Sequence, residues 1–114
     1  MREIEGLTWR DDAAIVTNPA RAPIKDLDLY RVAWEVLDWS LYRNNHLPGH
    51  IALVQFSRGC PLTCTYCGQW KYWKKWRHRS IAKFVDELEY LETQCGVSMV
   101  WTADENWGDD PDLL

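Results

Sequence analysis

Cys60, Cys64 and Cys67, in the run Cys-Pro-Leu-Thr-Cys-Thr-Tyr-Cys, are the residues best suited to chemistry in this chain. Thiolates are soft ligands, and three of them so close together can hold one iron–sulfur cluster or most of a zinc site. Their gaps of three and then two residues differ from the paired two-residue gaps of zinc ribbons and knuckles. Three sulfurs also leave a four-iron cube one ligand short, so one iron stays open to a further molecule, as a catalytic zinc keeps an open position. Cys95, far along the chain, is expected to be a half-buried thiol; as a fourth ligand it would close that open position.

Composition narrows the field. The chain has 114 residues, room for one small domain or part of a larger one. Its net charge of −4 argues against a broad grip on nucleic-acid phosphate, so no nucleic-acid partner is expected. No stretch approaches the roughly 18 apolar residues of a membrane span. The opening residues 1–6 hold two acids and no apolar core, unlike a secretory signal. A reducing cytoplasm and a bound metal are therefore expected, rather than two disulfides.

The elements that must position the cysteines follow from pattern. Residues 3–17 read as two short strands around Arg10-Asp11-Asp12, ended by Asn18-Pro19. Residues 19–29, with Pro19 and Pro23, read as an extended connector. Tyr30, Ala33, Trp34, Leu37 and Leu41 have helical spacing, which predicts a helix over 30–42 that stops at Asn44-Asn45-His46-Leu47-Pro48-Gly49. Ile51 to Phe56 suits a buried strand. Ile81, Phe84, Val85, Leu88 and Leu91 mark one face of a second helix, capped by Ser80 and ended by Gly96. Val97 to Thr102 is another strand. Strand, loop, helix, strand is a βαβ unit with a right-handed crossover. Both strands then end at one rim, where parallel α/β sheets bind ligands. The cysteine loop leaves the first strand at that rim, and Thr102, Asp104 and Glu105 leave the second there.

With the elements in this order, the chain resembles the opening of a radical SAM core, an incomplete parallel β/α barrel whose cluster loop follows the first strand. Ser57-Arg58-Gly59-Cys60-Pro61, Trp70-Lys71-Tyr72-Trp73, the helix Val85 to Leu91 and the strand running into Ala103-Asp104-Glu105 are similar to the anaerobic magnesium-protoporphyrin IX monomethyl ester oxidative cyclase group, in the cobalamin-dependent branch. That resemblance implies an oxidoreductase: a [4Fe-4S] cluster on Cys60, Cys64 and Cys67 reduces S-adenosylmethionine, and the resulting deoxyadenosyl radical takes hydrogen from substrate. It implies an aromatic before the third cysteine, here Tyr66, packing over cluster or adenine. It places Asp104 and Glu105 near the amino group of S-adenosylmethionine, while Gly59 and Gly68, lacking side chains, can let the backbone approach the cofactor. Flavodoxin or ferredoxin is the implied electron donor, a tetrapyrrole of bacteriochlorophyll synthesis the implied substrate, and cobalamin a cofactor of the full-length protein.

On this reading residues 1–49 are a linker of hairpin plus helix following a cobalamin-binding domain, and residues 50–114 are the front of the radical SAM core, so the chain is expected to be a fragment inactive alone. Asn44 to Gly49 is superficially like the Asp-x-His-x-x-Gly cobalamin motif but lacks a preceding Rossmann-like strand.

Other readings stay open. Tyr66 is otherwise a core aromatic, Gly59 and Gly68 are turn residues, and Asp104 and Glu105 belong to a solvated acidic loop with Asp109, Asp110 and Asp112. Trp70, Trp73 and Trp76, among Lys71, Lys74, Lys75, Arg77 and Arg79, can stack a flat tetrapyrrole and meet its propionates, or can pack against the core. His78 reads as structural. As whole functions, a radical SAM methyltransferase or methylthiotransferase shares the cysteine loop, and a zinc-binding interaction module would complete a tetrahedron with His78 or Cys95.

Overall fold

The computed structural model describes residues 1–43, 48–73 and 75–107. Asn44 to Leu47, Lys74 and the acids Asp109, Asp110 and Asp112 lie outside the described residues.

The centre is the expected βαβ unit. Strand β3 (His50–Val54) pairs in parallel with β6 (Val97–Thr102), and helix α2 (Ile81–Cys95) crosses between them. Local signals set the helix ends. Ser80 has extended backbone and its hydroxyl accepts the Lys83 N–H. Gly96 takes the left-handed conformation at φ 64°, where a side chain would be strained. Phe84, Leu91 and Cys95 from α2 pack on Ala52, Val54 and Phe56, with Val97 and Trp34 completing the core. Ile81 and Val85, expected on the buried face, remain exposed. A pair of strands is too narrow to cover the whole apolar stripe.

Around this unit the chain adds smaller pieces. Strands β1 (Thr8–Asp11) and β2 (Ala14–Thr17) form the predicted hairpin, turning at Asp12 with φ 52°. Buried Asn18 closes its base by donating to the carbonyls of Met1 and Ile4, both at 2.8 Å. After the core strand, β4 (Ser57–Arg58) pairs antiparallel with β5 (Arg77–His78), and the short helix α1 (Gln69–Trp73) lies between them. The cysteine loop is therefore tied down on both sides.

The expected helix over 30–42 is not there. Two turns of 3-10 helix, Trp34–Val36 and Trp39–Leu41, replace it, after an earlier one at Leu27–Leu29. The Asp38 carboxylate accepts from the Ser40 N–H at 3.1 Å and its hydroxyl at 2.7 Å, starting a new turn where a helix would continue. Of the five apolar positions, Tyr30, Ala33 and Leu41 stay exposed and Leu37 is half-buried. Trp34 is buried, and its indole N–H donates to Glu87 of α2 at 2.6 Å. Arg79, also bonded to Glu87, stands 3.7 Å from Asp28, whose other oxygen accepts the Ser80 N–H at 2.9 Å. These contacts fasten the first segment to the start of α2.

Candidate metal centre

The rim expected from topology is assembled. At the end of β3 the Val54 carbonyl accepts from Ala103 N–H at 2.8 Å. One residue beyond Ala103, the Asp104 carboxylate accepts the Phe56 N–H at 3.1 Å, the Ser57 hydroxyl at 2.6 Å and the Ser57 N–H. Ser57 is only 1% exposed, so these donors have no access to water as an alternative. Asp104 thus bolts the start of the cysteine loop to the end of β6.

The three cysteines are free thiols, each half-buried. Cys67 N–H donates to the Cys64 carbonyl at 3.1 Å, and the Trp70 indole N–H reaches the same carbonyl at 3.2 Å. Two N–H donors approach sulfur: the backbone of Gln69 lies 3.5 Å from Cys67 Sγ, and the carboxamide of Asn106 lies 3.8 Å from Cys60 Sγ. Hydrogen bonds to ligand sulfur are one of the means by which proteins tune iron–sulfur centres. Among the described residues, no three His, Cys, Asp or Glu side chains are gathered tightly enough to enclose a single metal ion. The donor set itself, three partly exposed sulfurs on one tethered loop with N–H groups directed at two of them, suits a multi-iron cluster, which spreads its ligands around a larger body.

Neither proposed fourth ligand reaches the loop. Cys95 is buried at the opposite end of the strand pair, where its carbonyl accepts from His50 Nδ1 at 2.7 Å. Burial pushes its thiol pKa up, which disfavours the thiolate a metal needs. His78 is structural: its ring stacks on Phe56 at 5.6 Å, and Nδ1 donates to the Arg79 carbonyl at 2.8 Å.

The remaining expected residues divide. Tyr66 is 92% exposed, so it is no core aromatic, and its hydrogen bond with Cys64 raises the phenol pKa. Gly68 has open space where a Cβ would stand, leaving its backbone approachable. Gly59 is different: at φ 94° a Cβ would lie 2.6 Å from the Lys75 carbonyl, so this glycine serves close packing of the loop. Glu105 is exposed. Trp70, Trp73 and Trp76 form no common platform. Trp70 holds the loop, Trp73 lies under Arg77 at 5.9 Å, and Trp76 packs on His78 at 5.0 Å. Arg79 is committed to Glu87 and Asp28.

Sequence reasoning missed Asn106 and Trp107. Trp107 stacks on Phe56 at 5.4 Å, nearly parallel, and its indole N–H donates to Thr102 at 2.8 Å. That fold-back carries Asn106 to Cys60. An aromatic shortly after the acidic pair was the available signal.

Comparison with known proteins agrees with this geometry. Residues 54–114 match the Radical SAM superfamily. The anaerobic magnesium-protoporphyrin IX monomethyl ester cyclase of Synechocystis sp. is 42% identical over 107 residues, covering 93% of this chain and 21% of its own length. The protein of that name from Rubrivivax gelatinosus is 42% identical over 94 residues, covering 82% of this chain and 17% of its own. An uncharacterized methyltransferase of Pyrococcus horikoshii is 25% identical over 109 residues, 94% of this chain and 23% of its own. The chain thus spans about a fifth of the curated relatives it matches. No solved structure gives a significant match.

Proposed function

From the premise that the chain belongs to the radical SAM superfamily, we propose that it is part of an oxidoreductase that closes a ring on a tetrapyrrole, magnesium-protoporphyrin IX monomethyl ester, in oxygen-independent bacteriochlorophyll synthesis. The observation that carries this reading is the sulfur loop: Cys60, Cys64 and Cys67 leave the end of a parallel strand and are held against the next strand's loop by Asp104 and Asn106. The shared identity with the two cyclases supports the substrate class. Methyl transfer is the weaker reading, since the methyltransferase relatives are either 25% identical or matched over only 49% of this chain.

In this role the three thiolates hold a [4Fe-4S] cluster. Such a cluster, held by Cys60, Cys64 and Cys67, would supply the one-electron reduction of S-adenosylmethionine that starts radical chemistry on the substrate. The chain's own residues do the positioning. Asp104 is already occupied by three donors, so it fixes the loop and leaves exposed Glu105 as the freer carboxylate for the ammonium of S-adenosylmethionine. Gly68 offers backbone without a side chain in the way. Tyr66, at the surface beside Cys64, would be free to pack against the nucleoside. Gln69 and Asn106 direct N–H groups at sulfur.

Residues 1–49 lead into the core in this reading, and 50–114 form the opening of an incomplete parallel β/α barrel. Leu53 and Trp101, register partners in β3 and β6, are 63% and 58% exposed. Parallel sheets are ordinarily covered on both faces, so this apolar surface is what a barrel with further strands would enclose. Cobalamin and a flavodoxin or ferredoxin donor belong to the full enzyme. No helix among the described residues is long and apolar enough to cross a membrane.

Anaerobic reconstitution with iron and sulfide, followed by electron paramagnetic resonance, tests the reading. The reduced chain is expected to show a four-iron signal that S-adenosylmethionine changes. A colourless protein with stoichiometric zinc would overturn it.

A further inference from the structure

A second concentration of charge lies outside the sulfur loop. In the β4–β5 pair, Arg58 stands directly opposite Arg77. Like charges facing each other across an antiparallel pair destabilise it. Among the described residues no carboxylate comes within ion-pair distance of either. Arg77 donates from Nη1 to the Ile24 carbonyl at 2.6 Å, while its Nε and Nη2 are buried and meet no acceptor among the described residues. Arg58 donates only from Nε, to the Gln55 side chain at 3.1 Å.

Both arginines, joined by Arg21, line one cleft of about 480 Å³. Its other walls are Gly6 and the Ala20–Ile24 segment with Tyr72 and Trp73, and no acidic residue among the described ones lines it. Arg77 lies over the Trp73 ring, and Tyr72 meets that ring edge-on at 4.9 Å. A solvated patch of arginines would leave its N–H groups in water. Here two of them are out of water with nothing to bond, an arrangement that costs free energy unless an acceptor arrives.

We propose that this cleft is an oxyanion-binding site, taking the carboxylate or phosphate of a ligand with a flat apolar body. Guanidinium forks match both anions through paired N–H bonds. The aromatic wall and the alanine–proline–isoleucine wall suit an apolar ring between them. The proposal does not depend on iron. The cleft nevertheless adjoins the sulfur loop, because Arg58 is two residues before Cys60 and Gly59 packs against Trp73.

Thermal unfolding of the iron-free chain tests it, with sodium benzoate, sodium phosphate and sodium chloride compared at equal ionic strength. At least one oxyanion should raise the midpoint by roughly 4 °C or more beyond chloride, because a ligand that binds only the folded state stabilises it. The larger rise with benzoate identifies a carboxylate ligand, and the larger rise with phosphate a phosphate ligand. Arg58→Gln should abolish the increment. If that variant does not fold, Arg21→Gln, a change at an exposed residue, should reduce it by at least half. Equal rises in all three salts, or an undiminished increment in the foldable variant, would overturn the proposal.

Discussion

Cys95 lies just before β6 begins, while Cys60, Cys64 and Cys67 lie beyond the point where β3 ends. The same side chain meets opposite conditions at the two ends of one strand pair. Around Cys95 the chain is closed: Phe84, Leu91 and Val97 share its core, His50 satisfies its carbonyl, and its side-chain hydrogen-bond partner Trp39 packs against the same core. Around the other three, sulfur stays half-exposed, and the hydrogen bonds organise the backbone or point at sulfur itself. Burial makes a thiol inert, and partial exposure with N–H donors keeps it available as a ligand. The difference sets three sulfurs that remain open to a ligand apart from one that is packed away.

Replacing cysteines one at a time should break this contrast most visibly. Cys60→Ser, Cys64→Ser and Cys67→Ser are each expected to lose nearly all iron retained after anaerobic reconstitution, because a hydroxyl is a poor substitute for a soft thiolate. Cys95→Ala should retain iron like the parent chain while losing stability through the missing buried sulfur. Iron quantified after desalting gives the answer. If Cys95→Ala failed to retain iron although circular dichroism showed it folded, the two ends would not be independent.

The clamp at the open rim gives the next effect. Asp104→Asn keeps the shape but replaces one acceptor oxygen with an NH₂ donor, which then faces N–H or O–H groups of Phe56 and Ser57. Leaving a buried donor without a partner costs about 1–3 kcal/mol, which a urea titration resolves. Iron uptake should fall as well, because the loop start is released. Unchanged stability in this variant would mean that the rim is held by the strand pairing alone.

How legible each end was depends on the kind of signal. Ser80 and Gly96 act on their own backbone, so the limits of α2 could be read locally. The apolar runs flanking that helix likewise implied a parallel pair, and with it the side on which sulfur and carboxylate meet. Residues 30–42 were misread because helical spacing fixed neither the backbone nor the burial: Tyr30, Ala33 and Leu41 stay exposed. Trp34 and Trp39 do turn inward, but toward Glu87 and His50 respectively, and Asp38 restarts the chain between them. The pairing of Arg58 with Arg77 left no trace in pattern either, since two-residue strands carry no periodicity. Asp104 was legible as a carboxylate at the rim, but its partners, two backbone amides and a hydroxyl, are contacts made across 47 and 48 residues.

The smallest effect, at the closed end, is also the most selective. Desolvation raises the Cys95 pKa in the folded chain, with the nearby Glu35 charge adding to it. Below the ordinary thiol range, roughly pH 8.5, the thiol is protonated whether folded or unfolded, and pH has no leverage through it. Above that range the unfolded chain releases the proton while the folded chain keeps it. The unfolded state then binds fewer protons, so stability falls with rising pH until the folded thiol also ionises. Urea midpoints measured from pH 8 to pH 10 should therefore decline more steeply for the parent chain than for Cys95→Ala, which has nothing to ionise there. The slope difference is the readout, because it cancels every other group that titrates in both proteins. Parallel slopes would mean that the Cys95 thiol is not held away from water, and the contrast between the two ends would lose its physical basis.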